Sequence, residues 1–198
     1  RLDPLPEQAM HILQVLAVSG RTLDLDLNLE ILDREEDEVL DHIDDLIRRG
    51  IVTERRIGSV VLHDVSHRLL ADVVYRDLTP ERRAALHRRM AEVLEQHSGN
   101  IPSSLELLGH HFRMAGLPGK AYLYLAEAAA RTQARSLPAE AWKLSGQAMA
   151  LEEMAWDALD EDRAGHGRTQ ILQVRADVHY GRGEWADCAR CLEALSEL

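Results

Sequence analysis

Cysteine is nearly absent. The two that the 198-residue chain contains, Cys188 and Cys191, stand three apart, which excludes a disulfide framework. No apolar run approaches the ~20 residues that a membrane-spanning helix needs. A signal peptide is missing too and the first residue is Arg1, so the expectation is a piece of a longer cytoplasmic protein. Basic residues are outnumbered, 23 Lys plus Arg against 34 Asp plus Glu. The net charge of −11 argues against a broad surface for nucleic acid or anionic membrane. What is present suffices for a core: 45% of residues are apolar, and the length allows one or two compact domains.

The acid is unevenly placed. Residues 21–50 hold eleven carboxylates against four arginines, a local balance of −7. Apolar residues at Ala9, Ile12, Leu13, Leu16 and Ala17 predict a helix over Pro6–Val18, ended by Ser19-Gly20. A short apolar stretch around Leu25–Leu32 precedes a helix over Glu35–Arg49, with Val39, Ile43, Leu46 and Ile47 on one face and Gly50 at its stop. The period then changes. Ile51-Val52-Thr53 and Val60-Val61-Leu62 flank Arg56-Ile57-Gly58-Ser59 and predict a hairpin. Three helices followed by a hairpin is the order of a winged helix. To read DNA, its third helix would carry Glu35, Glu36, Asp37, Glu38, Asp41, Asp44 and Asp45 toward a duplex with one negative charge per ~1.7 Å. Arg55 and Arg56 on the wing do not offset these. A structural or regulatory module is expected; a winged-helix transcription regulator contacting DNA is the alternative.

Next comes Leu62-His63-Asp64, then an apolar stripe at Val65, Leu69 and Val73 beside Leu70 and Val74. Thr79 as N-cap, Pro80 at the first position and Glu81 in the first turn announce a further helix, ended at Ser98-Gly99-Asn100. From Ile101 the pattern Leu108-Gly109-x-x-Phe112-x-x-x-Gly116-x-x-x-x-Ala121-x-x-x-Leu125-x-x-Ala128 resembles a tetratricopeptide unit, a helical pair of about 34 residues. Ser103-x-x-Glu106 is a capping box for its first helix, and Pro118-Gly119 turns into the second. A degenerate helix follows at Pro138–Leu151. Residues 152–169, with Gly165-His166-Gly167, read as a loop; then Leu172, Ala176, Gly183, Trp185, Cys188, Leu192 and Leu195 reproduce the offsets. The expected fold is therefore mainly α: a winged-helix module over residues 1–78, a connector helix over 79–100, and a tetratricopeptide-like α-superhelix over 101–198, expected to continue past Leu198.

That order of parts, with Leu62-His63-Asp64 closing the wing and Arg82-Arg83-x-x-Leu86-His87 beyond it, resembles the C-terminal part of a STAND-type signalling ATPase. The resemblance implies an upstream nucleotide-binding domain and a repeat sensor for a partner. By its Met-His-Asp motif it implies that His63, beside Asp64, contacts the phosphates of ADP in the intact protein. No Gly-x-x-x-x-Gly-Lys-[Ser/Thr] loop occurs, so no catalysis and no bound cofactor are expected of this chain, ATP or ADP belonging to the full-length protein.

Spacing alone supports no catalytic group. Cys188-x-x-Cys191 is expected to pack as small hydrophobes, and His63 with His67 lacks a third metal ligand. His110 is expected in the groove, with His111 pointing elsewhere. In the repeat register Ser103, Glu106, His110, Arg113 and Met114, then Gln170, Gln173, Asp177 and Tyr180, are expected to face a concave groove for a protein or peptide ligand.

Overall fold

The computed structural model describes residues 5–20, 22–97 and 102–198 and is mainly helical, with one small antiparallel sheet. The chain divides into two units, the first running to Gln96 and the second starting at His97.

In unit 1, α1 (Glu7–Ser19) buries Ala9, Ile12, Leu13, Val15 and Leu16 and stops at Gly20, whose φ of 63° needs no β-carbon. Strand β1 (Leu23–Asp24) leads into α2 (Leu25–Leu32), where Asp24 accepts from Leu27 N at 2.8 Å as N-cap. Helix α3 (Glu36–Arg48) buries Val39, Ile43 and Leu46 and leaves most of its acids in solvent. The hairpin is β2 (Val52–Ile57) and β3 (Val60–Val65), turning at Gly58. β1 completes the sheet in the order β1-β3-β2, with Leu23 opposite His63. This two-residue strand is too short to leave a period-two signature.

Helix α4 (Arg68–Asp77) corrects the expected stripe. It packs on α1 and buries Val74, whereas Leu69 and Val73 are 79% and 62% exposed. Leu69 and Val73 therefore do not mark the inward face, which is carried by Val74 beside them. α5 (Pro80–His97) starts as anticipated, Arg82 N donating to Thr79 Oγ1 at 3.3 Å. It is tied to α4 by Tyr75 Oη against His87 Nε2 at 3.0 Å, and to α2 by Arg89 donating to Glu30 O at 2.6 Å.

Unit 2 comprises α6 (Pro102–Met114), α7 (Pro118–Ala134), α8 (Pro138–Met149), α9 (Glu152–Ala158), α10 (Glu161–Arg182) and α11 (Trp185–Ser196). α7 packs along α6, α8 and α10, and α11 along α10. The core holds Leu108, Phe112, Tyr122, Leu125, Leu144 and Ile171, each contributing about 1.5–3 kcal/mol by burial. Residues 152–169 are helical rather than a loop. Asp160 accepts from Arg163 N at 2.9 Å and caps α10, and Ala155, Ala164 and Gly167 are buried. Gly167 does not break the helix; it admits the ring of Tyr122.

Candidate functional site

Residues four apart on a helix share a face. α6 accordingly presents Glu106, His110 and Arg113 along one side, and α8 presents Lys143 and Gln147. Between them, with Leu107 and Leu125 as apolar lining, opens a cavity of about 350 Å³. The close seating of α6 on α7 depends on Gly109, where a β-carbon would come within 2.7 Å of Leu125 Cγ.

Charge in the cavity is mixed. Lys143 Nζ reaches Glu106 Oε1 at 3.5 Å, a solvated pair of small energetic value. Burial, then the Arg113 guanidinium, hold His110 below its ordinary value against the opposing pull of Glu106. The imidazole is thus neutral near pH 7 and can both donate and accept. His111 does not line the cavity: it is buried beside it, its ring edge-on to that of His110 with centroids 5.3 Å apart.

Other expected groove residues are distributed differently. The side chain of Ser103 lies outside the described residues. Met114 is half-buried at the end of α6 and does not line the cavity. Gln170 donates to Glu127 on α7; burial raises that carboxyl, but hydrogen bonds from Arg131 and Gln170 outweigh it and hold it low. Gln173 and Asp177 are exposed, and Tyr180 stands edge-on to Trp185 at 5.3 Å. None of these four lines the α6–α8 cavity.

Sequence spacing missed a cluster on the other flank of α8. Arg175, His179 and Arg182, sharing one face of α10, converge on Trp142: the guanidinium carbons lie 3.8 and 4.8 Å from the ring centroid, and the imidazole is edge-on at 5.0 Å. His179 Nδ1 is also 2.6 Å from Glu184 Oε2, and with Asp187 these offer three potential metal-ligand atoms within 4.8 Å of one another. Asp187 is engaged by Arg190.

In unit 1, His63 is 1% exposed on β3, with Nδ1 lacking a hydrogen-bond partner and its basicity lowered by burial, against Glu54 and Asp44. Asp64 accepts from Val65 N at 2.7 Å rather than capping α4. His63 lies on a strand and His67 at the start of α4, so their four-residue spacing is not helical. Smaller clefts of about 20 and 120 Å³ share His11, Gln8 and Arg34. Cys188 is buried and Cys191 half-buried, both free, with burial raising the Cys191 thiol. No described helix is long and apolar enough to cross a membrane. No family model, no curated protein and no solved structure matches the chain.

Proposed function

We propose that the chain is a non-catalytic regulatory part of a multidomain signalling protein. Unit 2 recognises a protein or peptide segment in the α6–α8 groove. Unit 1, a winged-helix module in this reading, couples that event to a nucleotide-binding domain elsewhere in the same protein. The observation that carries the binding half is the roughly 350 Å³ cavity whose lining combines Glu106, His110, Arg113 and Lys143 with Leu107 and Leu125, a mixture suited to peptide side chains.

A tetratricopeptide-like reading of unit 2 is supported by its turns. After α6 and after α10 a glycine at φ 73° and 74° is followed by the same backbone bond, Leu117 N to Phe112 O at 2.9 Å and Glu184 N to His179 O at 3.0 Å. The winged-helix reading rests on the order α1, α2, α3 and a hairpin sheet. Within it, His63 is the residue that meets nucleotide phosphate. Because His63 is 1% exposed on the central strand of the sheet, such contact requires the packing over that strand to open. DNA recognition through the hairpin is disfavoured, since Arg55 and Arg56 are exposed but so are Glu36, Asp37, Asp41 and Asp44 on α3.

Selection of displayed random peptides on the chain tests the groove. Peptides so obtained should lose about tenfold or more in affinity for an Arg113→Glu, His110→Ala double variant. Peptides that bind the variant unchanged would place recognition elsewhere.

A further inference from the structure

We propose, resting on the groove reading above, that the ligand of unit 2 is an acidic peptide whose carboxylates meet Arg113, Lys143 and the arginine pair held on Trp142.

Acids exceed bases by eleven, and the chain uses them: Arg34, Arg49, Arg131 and Arg168 each stand within 4.0 Å of a carboxylate. Among the described residues of unit 2, Arg113, Arg175 and Arg182 make no ion pair, and neither do Arg135 and Arg163. Position sets the first three apart: Arg113 lines the cavity from α6, and Arg175 and Arg182 meet over Trp142 from α10.

Geometry adds direction. Trp142 and Lys143 are neighbours on α8, about 100° apart around its axis. Lys143 reaches across to Glu106 on α6, while Trp142 carries Arg175 and Arg182 of α10 over its ring. α8 thus has cations on both flanks. A guanidinium held over an aromatic ring spends no N–H donor on that contact, so its donors stay available to a carboxylate, which can accept two parallel hydrogen bonds. Beside this pair, His179 Nδ1 lies 2.6 Å from Glu184 Oε2. A peptide is favoured over nucleic acid because the net charge of −11 opposes a long polyanion, while a few side-chain carboxylates need only local cations.

The test compares three labelled peptides of equal length, built from repeated Glu-Ala-Leu, Gln-Ala-Leu or Lys-Ala-Leu, with a single-stranded oligonucleotide, by fluorescence anisotropy on the whole chain. The Glu peptide should bind about tenfold or more tightly than either other peptide, with the preference shrinking as salt rises. Arg175→Gln with Arg182→Gln should remove most of that preference and leave the Gln peptide unaffected. Arg175→Lys with Arg182→Lys, which keeps the charge, should retain part of it. If the Gln variants fail to fold by circular dichroism, the salt dependence and the Lys variants decide. Equal binding of the Glu and Gln peptides, both lost in the Arg113→Glu, His110→Ala variant, would overturn the acidic preference and leave the groove standing. No binding by any peptide, displayed ones included, would remove the groove as well. Tighter binding of the oligonucleotide would overturn the assignment to a peptide.

Discussion

Gly167 and Gly146 are both helical glycines of unit 2, and they should respond to the same substitution with opposite sign. A β-carbon at Gly167 would drive into the ring of Tyr122, which is wholly buried and donates its hydroxyl to Ala164 O at 3.4 Å. We predict that Gly167→Ala costs about 1–3 kcal/mol, read as a lowered urea midpoint. A β-carbon at Gly146 meets nothing within 4 Å, so Gly146→Ala should stabilise by about 0.5–1 kcal/mol. Sequence cannot separate a glycine that loosens the backbone from one that makes room for a neighbour. That is why Gly165-His166-Gly167 reads as a breaker, although α10 runs through it. His63 shows a related limit: its motif is visible in the string, its 1% exposure is not.

Turns between elements repeat a single device. Gly116, Ser136 and Gly183 all take the left-handed conformation, and the residue after each donates to the carbonyl five positions back. Ser136 carries a side chain where its two counterparts have none. Ser136→Gly should therefore raise the melting temperature, by about 1 kcal/mol of added stability, while the reverse change at Gly183, Gly183→Ser, should lower it by a similar amount. At the head of α10, removing the cap with Asp160→Ala should cost about 1 kcal/mol. Where periodicity and caps agree, as in α1, α3 and α5, the elements are legible from sequence to within a residue or two. The inward face of α4 is not, because its Leu69 and Val73 obey the helical period yet face solvent. Residues 152–169 are not, because the Asp160 cap is hidden in an Asp-Glu-Asp run that resembles a solvated loop.

Across the whole molecule, three histidines share a direction. Burial is the first cause at each, joined by Arg82 and Arg34 at His11 and by Arg113 at His110, and all three are lowered. Near neutral pH both folded and unfolded chains hold them uncharged. As the pH drops through the unfolded value of about 6.5, the unfolded chain takes up protons that the folded one refuses, so stability falls. Thermal melts should therefore shift downward between about pH 7.5 and 5.5, and a flat profile there would contradict the assignment. Glu127, held low, loses its contribution in a separate window below the usual carboxylate range. The candidate site was half legible at this scale: Glu106, His110 and Arg113 follow from one helical period, whereas Lys143 and the Trp142 cluster depend on which helices come to lie side by side.

α7 is also a mechanical spine. α6, α8 and α10 each lie along it, and the groove between α6 and α8 has Leu125 of that spine as its floor. Anything wedged between those two helices pries against α7 as a lever pries against its fulcrum. Three residues before Leu125, Tyr122 fills the notch at Gly167, so the load is delivered to α10 through a contact that has no slack.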